Sequence, residues 1–316
     1  MKILGIDYPC IDMGIICGNI PEDGGLSIVE DMSLMGGGKI PNALVAAARL
    51  GADAGMIGTI GSDRYGRQCR EDLEFNGVHT ERLESRPGTT AVCFCITDTA
   101  TRGKRCIESP ATYPRLRPEE LDAGVLAQAD VLLLYEMDDV AVAAAEIVRK
   151  NGGKVLVDGD EFDFRTQNNL DKIDIFIISE YYYHALFDSE AYEENLRKLQ
   201  AMGPEVVIVT LGGHGCAGVG PDGYFRLPAC SGGKVIDTTG AGDVFHGAYA
   251  YYYASGLSAE DSAVHASAVS YIKCNYLGGR TGIPTAEGVA HFLQNGTIQA
   301  EDFDQRMEFY RRAVFC

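Results

Sequence analysis

Residues 235–256 read VIDTTGAGDVFHGAYAYYYASG, and this stretch decides the fold. Val235 and Ile236 form a strand end that passes through Asp237-Thr238-Thr239 into Gly240-Ala241-Gly242-Asp243. A helix rich in alanine and aromatic residues follows. Two glycines at a strand-to-helix junction let backbone N–H groups converge on one point, and the helix dipole adds partial positive charge there. Such a junction suits a developing phosphate. A carboxylate in the same place repels that anion unless it has a task. The task that fits Asp243 is to take a proton from a hydroxyl nucleophile while the amides hold the phosphoryl group. The plainer role makes Asp243 a first-turn residue favoured by the dipole, and Gly-x-Gly a simple turn.

The flanking sequence sets this junction in an α/β frame. Residues 131–135, 154–157, 173–178 and 206–210 are apolar but for Lys154, Asp174 and Thr210, and helical patterns at 119–127, 140–150 and 190–202 separate them. Near-continuous apolar strands between amphipathic helices imply a doubly wound, mostly parallel sheet with helices on both faces. Residues 2–6 supply a first strand, 42–50 a helix closed by Gly51, 54–60 a strand, and 65–76 a helix ending at Gly77. Two β-rich insertions, 13–35 and 88–110, break the rhythm and read as one small antiparallel lid. That leaves 1–12, 36–87 and 111–316 as the body that binds nucleotide and substrate. The tail after Thr297 reads as a surface helix.

Composition narrows the function. The chain has 316 residues, the size of one large α/β unit or two lobes. Asp plus Glu number 45 against 27 Lys plus Arg, a formal charge of −18. That disfavours nonspecific attraction to nucleic acid or an anionic membrane but leaves anionic substrates open. Glycine contributes 38 residues, about 12% against a usual 7%, as expected of a chain with many tight turns or close backbone–ligand approaches. The 10 cysteines show no CxxC pair and no metal-ligand spacing. Cys93 and Cys95 alternate on one strand and read as small apolar residues on a shared face. No apolar run approaches the roughly 18 residues of a membrane span, and the opening MKILGI is too short for a signal-peptide core. The expectation is a reduced, soluble, cytoplasmic protein. The 6 histidines show no HExxH spacing; His246, one turn after Asp243, either faces the pocket or packs the helix.

DTTGAGDVFHGA (237–248) resembles the C-terminal signature of the ribokinase-like (PfkB) carbohydrate kinases. Four more segments follow the family order: GGGKIPNALVAAARLG (36–51), GTIGSDRYGRQCREDLEFNGV (58–78), TLGGHG (210–215) and LGGRTGIP (277–284). The resemblance implies ATP-dependent phosphoryl transfer to a hydroxyl of a sugar or sugar derivative. Asp243 is then the general base, Gly240, Ala241 and Gly242 form the anion hole, and Mg²⁺ travels on the ATP phosphates. It places the nucleotide at Thr210, Gly212, Gly215, Gly279 and Gly282. It also sets a candidate monovalent cation, K⁺, beside Asp237 and Thr239, whose other reading is a capping turn. On the substrate side it points to Asp12, Gly37, Gly38, Lys39 and Asn42. Arg105 and Glu136 are further candidates, whose other readings are a solvated lid cation and a solvated strand end.

Two departures matter. Ile40-Pro41 replaces a smaller pair before Asn42. Ser179 and Tyr182 stand where many relatives carry an Asn-x-x-Glu motif; Asp158 and Asp160 on the preceding strand end read either as contributors around the metal or as plain turn residues. Ketohexokinase-like members also have Ser at that point, which tilts the resemblance toward them and away from ribokinase proper. Within the same fold a nucleoside kinase is the alternative, and a noncatalytic sugar-binding sensor is the alternative outside enzymes. The first strand has no Gly-x-Gly-x-x-Gly turn, and no Gly-x-x-x-x-Gly-Lys-Ser/Thr loop occurs, so nicotinamide-dependent Rossmann and P-loop readings are set aside. An exposed lid face must be hidden, either by closure over substrate or by pairing with a second subunit's lid as a homodimer.

Overall fold

The computed structural model describes residues 1–101, 104–299 and 302–315. Strand β1 (Lys2–Asp7) leads directly into β2 (Cys10–Cys17) and β3 (Val29–Gly37). Helix Lys39–Leu50 then precedes β4 (Asp53–Gly61), and helix Arg64–Phe75 precedes β5 (His79–Arg86), β6 (Val92–Asp98) and β7 (Lys104–Ser109). The second half alternates strands β8 (Val131–Leu134), β9 (Lys154–Gly159), β10 (Ile175–Ser179) and β11 (Val206–Thr210) with helices. A hairpin of β12 (Cys216–Gly220) and β13 (Gly223–Leu227) closes the sheet.

Nine of these strands form one sheet in the order β13-β12-β11-β10-β9-β8-β1-β4-β5, parallel except for the terminal hairpin. All four residues of β8 are buried because helices cover both faces, as their unbroken apolar run implies. The chain leaves β1 on the β4 side and returns through β8 on the other. At such a reversal the loops beyond the strand C-termini part and leave a crevice.

The remaining four strands form a second sheet, β3-β2-β6-β7. It is mixed, not antiparallel: each hairpin is antiparallel, but the inner strands β2 and β6 run parallel. They come from distant parts of the chain, so no hairpin dictates their direction. β2 begins at Cys10 and β3 runs to Gly37, so Asp12 and Gly37 stand on this small sheet and not on the body. Residues 102–103 of the second hairpin lie outside the described residues.

One helical expectation is corrected. Residues 119–127 give only a 3₁₀ turn, Pro118–Glu120, and a single turn, Ala123–Leu126, because Asp122 caps a new start in mid-segment. The tail helix Phe303–Phe315 lies on the surface as expected, with Asp304, Gln305, Glu308 and Arg312 exposed, but one face, Phe303, Arg306 and Tyr310, is buried. Tyr310 donates its hydroxyl to Asp72, and Arg311 pairs with Asp31 on β3. The helix thereby straps the small sheet to the body.

The site helix Ala241–Ala254 packs on helix Lys39–Leu50. At their closest approach a Cβ on Gly247 would lie 1.9 Å from the Ala43 carbonyl oxygen, so only glycine fits. No helix among the described residues is long and apolar enough to cross a membrane.

Candidate active site

Helix Ala241–Ala254 starts at Gly240, whose φ of 72° lies in the left-handed region that glycine favours. The Asp237 carboxylate shapes the preceding turn. One of its oxygens accepts from the Thr239 N–H at 2.9 Å and hydroxyl at 2.7 Å, and the other accepts from the Gly278 N–H at 2.7 Å. Ala241 donates its own N–H back to the Thr238 carbonyl at 3.1 Å.

Two cavities flank the Ala241–Gly242 end of this turn. The larger, about 650 Å³, lies between the small sheet and the strand C-termini, with Asp7, Asp12, Lys39, Asn42, Asp158 and Asp243 in its walls. The smaller, about 330 Å³, opens on the other side against Gly212, Gly215, Phe245 and Tyr271. Thr210, Thr238, Ala241 and Gly242 line both, whereas Asp243 faces only the larger.

Asp243 is electrostatically poised. Asn42 donates its side-chain N–H to Asp243 at 2.8 Å. Burial, and then repulsion from Asp158, push its carboxyl up to about 7, against the opposing effects of Asn42, Lys39 and His246. Lys39 reaches Asp160 at 2.7 Å. Burial works against its charge, but Asp158, Asp160 and Asp243 outweigh it and hold the Lys39 pKa above its ordinary value. His246 is buried under the cavity floor, with Nδ1 2.6 Å from the Gly242 carbonyl and 3.5 Å from Asp158. It packs the helix and touches the cavity at once.

The other expected residues divide. Asp12 is buried in the larger cavity wall and accepts from the Cys10 thiol at 3.5 Å. A Cβ on Gly37 would lie 2.2 Å from the Asp12 carboxyl carbon, so glycine there makes room for the acid. Gly38 lines the same cavity, and Thr210, Gly212 and Gly215 line the smaller one. Gly279 and Gly282 line neither: Gly279 lies behind Gly240 beside Asn42, and Gly282 against Tyr276. Their loop is drawn inward by Arg280, which is fully buried.

Arg105 is exposed on β7, on the face away from the cavity. Strand alternation gives the inward positions to Cys106 and Glu108 instead. Glu136 sits behind the wall, accepting from the Tyr135 hydroxyl at 2.7 Å and 3.6 Å from Arg115. Ser179 caps helix Glu180–Leu186 at the cavity edge, while Tyr182 is fully buried against Phe162 and Phe176. Asp237 and Thr239 do not face an open cation cage, because the Lys273 ammonium already donates to both of their carbonyls, at 3.0 Å to Asp237.

Sequence reasoning missed several residues. Arg280 donates to Asn42 at 2.8 Å and pairs with Asp72 at 3.3 Å, so a buried line runs Asp72–Arg280–Asn42–Asp243. An arginine inside the Gly-rich segment 277–284 was the available signal. Asp7 accepts from the Tyr8 and Ile40 N–H groups, and burial, against those bonds, pushes it up to about 6. Arg115, stacked on Tyr8, is a second cation of the larger cavity.

A family model described as pfkB family carbohydrate kinase matches residues 2–286. The chain belongs to that family. This PfkB-family kinase transfers the phosphoryl group of ATP to a sugar hydroxyl. It is 29% identical over 289 residues to a ribokinase of Lactococcus lactis, covering 90% of this chain and 94% of that one. It is 28% identical over 297 residues to an ATP-dependent ribose-1-phosphate kinase of Halopiger xanaduensis, covering 93% and 98%. Among solved structures, a Thermotoga maritima ribokinase gives a TM-score of 0.78 at 25% identity, with 93% and 99% covered. An Arabidopsis thaliana ribokinase complexed with ribose and ATP gives 0.80 at 23%, with 93% and 98% covered.

Proposed function

We propose that the kinase binds its sugar in the larger cavity and its ATP in the smaller one, and that Asp243 deprotonates the acceptor alcohol. One observation carries this reading: the cavities share the Thr238–Gly242 turn, and the carboxylate faces only one of them. First-turn amides without an intrahelical acceptor, chiefly those of Gly242 and Asp243, steady the transferring group. Asn42, fixed by Arg280, aims the Asp243 carboxylate. Asp12 and Lys39 grip the acceptor. Oxygen donors suit a hard cation, so Asp158 and Asp160 are the groups to hold the waters of Mg²⁺, which neutralises phosphate charge when bound. The small sheet covers the acceptor and excludes water, a competing nucleophile.

For the acceptor, the whole-chain likeness to ribokinases outweighs the ketohexokinase-like Ser179, and a ribose-sized sugar is the leading substrate. Lys39 and Arg115 in the acceptor cavity favour a phosphorylated or otherwise anionic sugar as the second reading. A panel of ribose, ribose 1-phosphate, hexoses and adenosine, read as ADP release, decides among them; release with no acceptor in the panel rejects the assignment. We further propose a homodimer through the outer face of the small sheet, where Ile107 is exposed. A monomeric mass in solution overturns that.

A further inference from the structure

Lys273 ends helix Ala259–Lys273 and is fully buried. Its ammonium donates to the carbonyl oxygens of Asp237 and Thr239, on the turn that leads into the anion hole. A buried charge needs partners, and carbonyl dipoles supply them. These are the residues that the family resemblance assigned to a monovalent cation. They do not fit one here. A second cation within reach of both carbonyls would sit against the ammonium, and like charges at that range repel. The Asp237 carboxylate is also committed to Thr239 and Gly278. Burial alone would raise its pKa, but the Lys273 charge and those bonds hold it below the ordinary carboxylate range.

We infer that Lys273 is a tethered replacement for the monovalent cation, a positioning residue that keeps the Asp237–Gly242 turn in its phosphate-binding shape without K⁺. The inference rests on the kinase reading, and the thermal test below is independent of it. In equimolar KCl and tetramethylammonium chloride, the wild type has the same melting midpoint and the same rate of ADP release. Lys273→Ala loses rate and melts lower, and KCl, unlike tetramethylammonium chloride, restores part of both. A K⁺-specific rise in the wild-type midpoint or rate overturns the inference, as does a folded Lys273→Ala that ignores K⁺. The wild-type arm decides even where the variant does not fold. Failure of the kinase reading removes ADP release in every salt and leaves the melting comparison intact.

A separate observation carries a second proposal. Cys93 and Cys95 on β6 and Cys106 on β7 point their thiols into the larger cavity, all within 4.8 Å of one another. The Cys93–Cys95 and Cys95–Cys106 sulfur separations are 3.6 and 3.7 Å. Three thiolates about 2.3 Å from a tetrahedral Zn²⁺ lie ~3.8 Å apart, so the strands hold the sulfurs near the spacing the metal needs. Their spacing in sequence hides this, because Cys95 and Cys106 become neighbours only through β6–β7 register.

We propose that this lid wall binds Zn²⁺ through three thiolates, releasing the thiol protons to solvent, with the fourth position open to the acceptor cavity. Bound metal there competes with the acceptor. Titration with Cd²⁺ alone, followed by thiolate-to-metal charge-transfer absorption, tests it. The wild type takes up one equivalent more than Cys93→Ser/Cys95→Ser/Cys106→Ser, and Zn²⁺ bound beforehand is released as Cd²⁺ enters. Equal uptake by both proteins overturns the proposal. If the triple variant does not fold, Cys106→Ser on exposed β7 makes the same comparison.

Discussion

The Asn42 amide donates to the Asp243 carboxylate at 2.8 Å, and the other end of the same amide accepts from Arg280 at 2.8 Å. Asn42 therefore cannot flip without breaking a bond to a buried arginine. A carboxylate aimed in this way keeps one oxygen tied, so its orientation is set before any acceptor arrives, which is where much of catalytic power resides.

Asp243→Asn tests the base. The expected loss in kcat is about 10²–10⁴-fold, the usual contribution of a general base, with the affinity for ATP, measured by calorimetry, retained because Asp243 does not face the nucleotide cavity. Full activity in the variant removes Asp243 from the mechanism.

The raised pKa of Asp243 gives two opposite pH effects. Burial first, then Asp158, lift it from 3.8 to about 7. The base works only when ionised, so kcat/KM climbs with pH and levels above about 7, falling roughly 100-fold two units below that point. Stability runs the other way. The folded state binds the proton more tightly than the unfolded chain, so the stabilisation is complete below pH 3.8 and is lost as pH rises through about 7. Asp243→Asn, which cannot ionise, should gain in melting midpoint relative to wild type as pH rises from 5 to 8. A gap that is constant with pH contradicts the shifted pKa.

What the sequence made legible was local and periodic. The unbroken apolar runs at β8, β10 and β11 announced a covered parallel sheet, and the 237–243 turn announced its site. β5 (HTERLESR) escaped because most of its residues face solvent at the sheet edge and read as a polar linker. Arg105 was misplaced because composition marks a cation but only register tells which face carries it. Arg280, Lys273 and Asp72 act across more than 30 residues of sequence. Nothing local distinguishes a buried charge with distant partners from a solvated one.

The Asp72–Arg280 pair should be structural at its root. Asp72 accepts from Gly36 on β3, from Asn76 and from Tyr310, and pairs with Arg280. Asp72→Asn leaves a buried guanidinium uncompensated, a change that costs about 3–5 kcal/mol. Urea unfolding should show it. Arg280→Met combined with Asp72→Asn should cost less than the sum of the single changes, because the partners share one interaction. Strict additivity means the pair is not coupled.

Gly247→Ala probes the packing that carries the site helix. Its new Cβ would meet the Ala43 carbonyl oxygen at 1.9 Å and the carbonyl carbon at 2.5 Å. These are backbone atoms, so no rotamer change relieves the clash and the two helices must part. Overpacking of this kind costs about 1–3 kcal/mol. The parting also shifts Asn42, next to Ala43, away from Asp243, so activity should fall more than stability alone explains. Gly213→Ala is the control, because a Cβ there meets nothing within 4 Å and the expected change is within about 0.5 kcal/mol. Equal melting midpoints for the two variants would mean that helices Lys39–Leu50 and Ala241–Ala254 do not touch at Gly247, and that Asn42 reaches Asp243 from some other packing.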